Sequence, residues 1–414
     1  HADARVFATM DGHRNDDYSV YVYVSDDYGD SWQSIVSNLP DGHTMNVIRE
    51  HPRNENLLVL GGEFGAYITI NRGAEWHQIK GAVPTVPVDD IAIHPRDNDL
   101  ILGTHGRSIW VLDDMTPLEQ LTADVLASSL HSFDVRDAVA YRLSNHKGNT
   151  GHKMFIAPNP PEGALIHYFL NDEVDGEDAV EVTIQDGAGE VIRTLDAPGS
   201  VGLNRVNWDL RHEPPVPLTG QGGFGGSPPG PRALPGTYGV QVTVGGRQAT
   251  TSVKVSDDPR INVSAADRRS QQDAMLRLGN LIARLTEAHQ TAESLQTQLG
   301  SLAESLEDAE VPASVSSLVE SVSERVDDLE RELARGGGFG GARPRPLYAR
   351  MTRIYGNLNS YTEGPSALQL EQIELYGQEL NRLVEELDQL IANEIANLNI
   401  AVEQNGIRRI TIRS

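Results

Sequence analysis

A repeat with a period of about 43 residues constrains this chain more than any other feature. His51-Pro52-Arg53-Asn54-Glu55-Asn56-Leu57-Leu58 returns as His94-Pro95-Arg96-Asp97-Asn98-Asp99-Leu100-Ile101. A second marker, Ser25-Asp26-Asp27-Tyr28-Gly29-Asp30-Ser31-Trp32, fits S-x-D-x-G-x-[ST]-W, and Thr69 to Trp76 is a degenerate copy 44 residues later. Between the markers lie short β-branched and aromatic runs at Val20 to Val24, Asn46 to Arg49, Leu57 to Leu60 and Asp90 to Ile93. Short strands at this period predict four-stranded propeller blades. In the first marker, Ser25, Asp27, Gly29, Ser31 and Trp32 read as a structural hairpin, as do Asn71, Gly73 and Trp76 in its copy. The Asp accepts backbone N–H groups across the turn, the Gly supplies a positive φ, and the Trp packs between neighbouring sheets. Residues 1–115 hold two to three such blades. A closed propeller needs about four to eight, so the remainder is expected from sequence upstream or from another chain.

The repeat stops near Asp113, and residues 116–152 read as a connecting segment. Residues 153–260 alternate short strands with Gly, Asp and Pro turns, which predicts an Ig-like antiparallel β-sandwich interrupted by a Pro- and Gly-rich loop at 212–235. From 261 to 414 the period becomes helical. Three apolar stripes run through Leu278 to Leu306, Val315 to Leu333 and Leu380 to Val402, with a shorter helix from Leu347 to Tyr361 after a Gly-rich linker at 336–346. Facing stripes on linked helices predict an antiparallel bundle, with Leu285, Leu295, Leu329, Leu387 and Leu398 in one core; an intermolecular coiled coil is the rival. The fold class is therefore multidomain β plus α: partial propeller blades, a sandwich and a C-terminal helical bundle.

The formal net charge of −25 opposes binding to a duplex or an anionic membrane, and the sequence shows no basic patch that would override it. Cysteine is absent, which excludes disulfides and thiolate metal sites. No apolar run approaches the roughly 20 residues of a membrane helix. His1 has neither an initiator Met nor a signal pattern, so an upstream segment carrying the export signal is expected.

The chain resembles the bacterial sortilin-like (Vps10-like) family of Asp-box propellers, whose members are often named BNR-repeat glycosyl hydrolases. The resemblance rests on Gly12-His13-Arg14-Asn15-Asp16-Asp17, Gly62-Glu63-Phe64-Gly65 and Thr104 to Asp114. It continues through Asn159-Pro160-Pro161-Glu162-Gly163-Ala164, Trp208-Asp209-Leu210-Arg211 and Pro235-Gly236-Thr237-Tyr238. It implies a periplasmic or extracellular protein whose signal peptide and further blades lie upstream.

Catalytic signatures are lacking: there is no G-x-S-x-G, H-E-x-x-H or G-x-x-x-x-G-K-[ST]. Glycoside hydrolysis needs two carboxylates roughly 5 to 9 Å apart. Glu63, Asp89, Asp90, Asp113 and Asp114 qualify only as acids near strand ends, in a chain with 59 carboxylates. His105 and Arg107 flank Gly106 at a strand end, where they would bind an anion or lock a blade to its neighbour. His51 and His94 precede Pro-Arg at equivalent corners, which favours a structural role over metal ligation. Asn171 to Asp178 clusters oxygens but lacks EF-hand spacing and reads as an acidic turn. No cofactor or metal is called for. The ligand-face candidates are Glu63, Asp90, His105 and Arg107, and the expected partner is a peptide, protein or glycan. The leading reading is an exported, non-catalytic interaction protein. The alternatives are a glycoside hydrolase with its carboxylates in upstream blades, and an envelope scaffold that oligomerises through its helical tail.

Overall fold

A computed structural model describes residues 1–81, 83–142, 157, 159–174, 180–216, 228–307, 311–334 and 346–411. The Gly222 to Gly226 run, most of the 336–346 linker and residues 175–178 of the acidic turn lie outside these. The protein is mixed β plus α and divides into two compact units: His1–Asp209 with Gly236–Ser256, and Leu210–Pro235 with Asp257–Ser414.

The first unit begins with three antiparallel sheets in sequence order. These are β1 (Val6–Gly12), β2 (Asp17–Ser25) and β3 (Gln33–Ser34); then β4 (Met45–His51), β5 (Asn54–Gly62), β6 (Gly65–Thr69) and β7 (His77–Gln78); then β8 (Val88–Ile93), β9 (Leu100–Thr104) and β10 (Ile109–Leu112). The middle sheet is covered on both faces, which explains why β5 reads as the unbroken run Leu57-Leu58-Val59-Leu60. Leu57 and Val59 pack with Val88, Ile91, Leu100 and Leu102 of the third sheet. Leu58 and Leu60 pack with Val22, Ile35 and Trp76 on the side of the first. Gly61 is required where the sheets close up, since a Cβ there would lie 2.8 Å from a Val88 methyl.

Two short helices, α1 (Thr116–Gln120) and α2 (Ala123–Ala127), lead into two further sheets. Their strands are β11 (Leu130–Ser132), β12 (Ala138–Ala140), β13 (Ala164–Leu170), β14 (Val180–Gln185), β15 (Val191–Ala197), β16 (Gly202–Trp208), β17 (Gly236–Val244) and β18 (Arg247–Asp257). The orders are β11-β13-β16 and β12-β18-β17-β14-β15. The rings of Trp208 and Tyr238 join these two sheets edge to face, with centroids 5.1 Å apart. The stretch read from sequence as a connection thus contributes two edge strands. Each has three residues, too few to show an alternation.

The second unit is helical: α3 (Ala265–Glu307), α4 (Ala313–Leu333), α5 (Leu347–Ser360), α6 (Ala367–Gln389), a π turn (Leu390–Ile395) and α7 (Ala396–Gln404). Ser366 and Gln369 form a capping box that starts α6. Gln296 Nε2 donates to Asp327 Oδ1 at 2.7 Å and His289 meets Glu330 at 3.0 Å, so α4 runs antiparallel to α3. Gln271 Nε2 reaches Leu358 O, which places the end of α5 against the start of α3. Arg284 Nη2 donates to Asn381 Oδ1 at 3.0 Å and Arg277 pairs with Glu374, so α6 runs parallel to α3. The bundle is therefore three rods, up, down and up, with α4 and α5 sharing the middle rod. Leu285, Leu295, Leu329, Leu387 and Leu398 all join its single core, each at most 6 % exposed.

Candidate ligand face

The repeats fix which ends of the first three sheets correspond. The β1–β2 turn (His13 to Asp16), the β5–β6 turn (Glu63, Phe64) and the β9–β10 turn (His105 to Ser108) occupy equivalent places and lie at one end of the stack. Cross-sheet bonds hold that end together: Thr9 Oγ1 donates to Asn46 O at 3.1 Å, and Asn46 Nδ2 to Val88 O at 3.2 Å. The His-Pro-Arg corners and both S-x-D turns close the opposite end.

Three of the four ligand-face candidates sit on these turns, and the fourth is at the start of β8. Glu63 accepts from Thr44 Oγ1 at 3.3 Å. Phe64 beside it is exposed and packs at a tilt against His43, ring centroids 4.5 Å apart. Asp90 Oδ1 accepts from Arg49 Nη2 at 2.9 Å, while Arg49 Nε donates to Ile91 O at 3.1 Å. His105 is solvent-exposed and its Nδ1 lies 3.1 Å from Asp89 Oδ2 in its own sheet. Arg107 is exposed, and its backbone oxygen accepts from Trp110 Nε1 at 3.0 Å. On the equivalent β1–β2 turn, His13 Nδ1 is 2.5 Å from Asp11 Oδ2. The Asp11 carboxyl is held below its usual range, first by the His13 backbone N–H. Arg14, next along that turn, is exposed like Arg107, and among the described residues neither guanidinium pairs with a carboxylate. Sequence reasoning used Arg14 only for the family resemblance; its equivalence to the 105–108 turn was the available signal.

The opposite end is a set of closed polar networks. Asp27 accepts Ser31 N at 2.8 Å and Ser31 Oγ at 2.5 Å, and Ser25 Oγ donates to it at 2.7 Å. These bonds, led by the Ser31 hydroxyl, lower its pKa to about 2. Gly29 takes φ +95° and donates its N–H to Ser25 Oγ at 2.8 Å. The copy repeats this geometry with Asn71 for Asp: Glu75 N reaches Asn71 Oδ1 at 2.9 Å, Gly73 N reaches Thr69 Oγ1 at 3.0 Å, and Gly73 has φ +85°. The two tryptophans differ. Trp76 is buried between sheets, its Nε1 donating to Ile35 O at 2.7 Å. Trp32 is 45 % exposed, which departs from the expected inter-sheet packing.

The His-Pro-Arg corners are structural. His51 is fully buried; its Nδ1 accepts Arg53 N at 3.2 Å, so its Nε2 carries the proton and donates to Asn98 Oδ1 at 2.8 Å. Asn98 Nδ2 passes on to Glu119 Oε2 at 3.1 Å, and Arg53 grips Glu119 through Nε and Nη2, the latter at 2.7 Å. Burial raises the Glu119 pKa, but Arg53, His51 and Asn98 together outweigh it and the net shift is downward. The equivalent His94 is half-exposed and accepts Asp97 N at 3.1 Å. Asp114 accepts Thr116 Oγ1 at 2.6 Å, and burial together with Asp99 raises the Asp113 pKa. Asp113 and Asp114 thus lie at the corner end, while Glu63, Asp89 and Asp90 lie at the turn end, so the five candidate acids do not converge on one site. Among the described residues, no group of three or more His, Asp or Glu is arranged to hold a metal ion. Asn98 and Glu119 were not singled out from sequence; the repeat carries Glu55 at the Asn98 position, which hides the pairing.

Comparison with known proteins gives one family match: the Sortilin-Vps10 model (sortilin, neurotensin receptor 3) covers residues 20–135, a little over a quarter of the chain. No curated protein matches. An ancestral GH74 enzyme is similar at 13 % identity and a TM-score of 0.20, over 61 % of this chain and 34 % of that one. A Salmonella alpha-2-macroglobulin variant is similar at 14 % identity and a TM-score of 0.17, over 58 % of this chain and 14 % of that one. This chain thus spans about a third of the GH74 enzyme, and TM-scores this low give the two likenesses no bearing on the fold.

Proposed function

We propose that the chain is part of an exported, non-catalytic interaction protein of the sortilin-like propeller type. In this reading the three stacked sheets are Asp-box blades, and the two sheets joined by Trp208 and Tyr238 form an Ig-like sandwich. The turn end of the blades receives a peptide, protein or glycan ligand. One observation supports it: the equivalent turns present Arg14, Arg107 and the exposed ring of Phe64, while every candidate carboxylate at that end is held by a partner in its own or the neighbouring sheet. Guanidinium groups beside an aromatic ring recognise carboxylate or sulfate together with an apolar or sugar face. The family match over residues 20–135 supports the same reading.

The test is a screen of the purified protein against peptide and glycan arrays, followed by Arg14→Glu, Arg107→Glu and Phe64→Ala on any ligand found. Loss of binding in all three, with unchanged folding, is the expected outcome. A ligand that binds the triple variant as well as the wild type refutes this face. Sugar release from polysaccharides that a single Asp→Asn or Glu→Gln change abolishes would replace the reading with glycoside hydrolysis.

A further inference from the structure

Beyond α7 the chain turns back along the helical unit. Asn405 and Gly406 close α7 with a Schellman motif: Gly406 N donates to Glu403 O at 3.1 Å, Ile407 N to Val402 O at 3.0 Å, and Gly406 takes φ +73°. The next five residues, Ile407 to Thr411, have no helix or strand of their own and lie between α3 and α7. Two side-chain amides hold them. Asn399 of α7 donates through Nδ2 to Ile410 O at 3.0 Å and accepts Ile410 N on Oδ1 at 2.7 Å. Gln298 of α3 donates to Thr411 O at 2.9 Å and accepts Thr411 N at 2.8 Å. Each amide thus reads both backbone groups of one residue, as a neighbouring strand would. Ile410 is 5 % exposed in the bundle core and Ile407 packs against it, whereas Arg408 and Arg409 face solvent. A cleft of about 490 Å³ flanks the segment, lined on α3 by Thr297, Gln298, Ser301, Leu302 and Ser305.

We propose that the seat of this segment between α3 and α7 is a peptide site which reads an extended segment through its backbone and two aliphatic side chains three residues apart. Residues 407–411 fill it in cis, and the partner it takes in trans is the same segment of a second copy of this chain. The strap shows the fit directly, because every contact it makes in cis is available to an identical strap in trans. Gly406 is the hinge. Its left-handed conformation folds the strap back, and a helical residue there would carry α7 onward and present the strap to a neighbour. The proposal concerns the helical unit and does not depend on the ligand face of the sheets.

The experiment uses the full chain carrying Ile410→Asp, which releases its own strap, and a labelled peptide of residues 405–411. Fluorescence anisotropy should show saturable binding below about 1 mM, the effective concentration that a short tether gives the strap in cis. Adding Asn399→Ala should weaken binding about tenfold, the loss of two half-buried hydrogen bonds; Gln298→Ala, at a more exposed pair, should weaken it by less. A peptide with Asp at the Ile410 position should not bind. If Ile410→Asp loses its helical circular dichroism, the chain ending at Gly406 takes its place. Absence of saturation on a folded variant overturns the site. The second-copy partner is tested by mixing two differently tagged full chains, warming, and capturing one tag. Co-capture that rises with Gly406→Ala supports strap exchange, and peptide binding without co-capture in either chain overturns it.

Discussion

Asn98 tests whether the His-Pro-Arg corner holds the stacked sheets together. It is 2 % exposed, sits at φ +56°, and is the sole acceptor described for the Nε2 proton of the fully buried His51. Asn98→Ala removes that acceptor and leaves a buried donor unmade, which costs about 1 to 3 kcal/mol. It also places a Cβ without a compensating side-chain bond in the left-handed region, adding about 1 to 2 kcal/mol. The expected loss is therefore roughly 2 to 5 kcal/mol. Asn98→Gly removes the same bonds without the left-handed strain. Against this, the unfolded chain gains about 0.4 to 1 kcal/mol of conformational entropy, so its loss should be somewhat smaller than that of Ala.

The assay exploits the sequence, since all four tryptophans, Trp32, Trp76, Trp110 and Trp208, belong to the first unit. Urea titration followed by tryptophan fluorescence therefore reports this unit without interference from the helices, with the slope m checked for constancy between variants. Asn98→Asp adds a pH arm. It keeps an acceptor for His51 but sets a second carboxylate against Glu119 Oε2, where the amide nitrogen now lies at 3.1 Å. Two such acids favour sharing one proton, so the pair's folded-state affinity for a proton rises and the deficit relative to wild type should shrink as pH falls. A loss below about 1 kcal/mol for Asn98→Ala, or a larger loss for Gly than for Ala, refutes the reasoning.

The remaining expectations concern separate elements. Asp27 has its folded pKa depressed from 3.8 to about 2, so its contribution is complete above the unfolded value and fades as pH falls through about 2. Asp27→Asn should flatten the first unit's acid unfolding between about pH 4 and 2 while keeping the Ser31 N–H bond, as Asn71 does in the copy. Trp76→Ala should destabilise the first unit by about 3 to 5 kcal/mol in the urea assay, while Trp32→Ala, at an exposed ring, should change it far less. In the helical unit Leu398→Ala, at a fully buried site, should cost about 2 to 5 kcal/mol by circular dichroism at 222 nm. A loss under about 1 kcal/mol would mean that the stripe is not packed within the chain.

Much of the sheet architecture was legible because the markers sit where strands must turn. The S-x-D motif survives loss of its carboxylate in the copy, since Asn71 Oδ1 accepts the backbone N–H that Asp27 Oδ1 accepts. Features carried by few residues were not legible. β11 and β12 have three residues each, and the strap at 407–411 has five, so neither offers a period to read. Helical stripes located the bundle core, and the antiparallel arrangement expected for linked helices holds for α3 with α4 but not for α6 beside α3. The parallel course of α6 beside α3 follows from the middle rod being built from two helices, and an apolar stripe is the same whichever way its neighbours run.

The candidate face shows a different limit. Glu63 was singled out as an acid near a strand end and His105 and Arg107 because they flank Gly106, all local cues. Arg14 was passed over because its turn carries no such glycine between its charges, although the topology makes the turns equivalent. That equivalence separates the two ends of the sheets chemically. At the corner end the buried and half-buried polar side chains engage one another: His51 with Asn98, Glu119 with Arg53, Asp27 with Ser31 and Asp114 with Thr116. A group whose hydrogen bonds are spent within the fold has little left for a ligand. At the turn end the acids are engaged but Arg14, Arg107 and Phe64 are exposed, so a ligand docking there would meet two guanidinium groups without a carboxylate partner among the described residues, and a ring that His43 contacts on one side. The proposed recognition at the turns rests on what the fold leaves exposed there, and the recurrence of the corners in the sequence goes with their internal bonding.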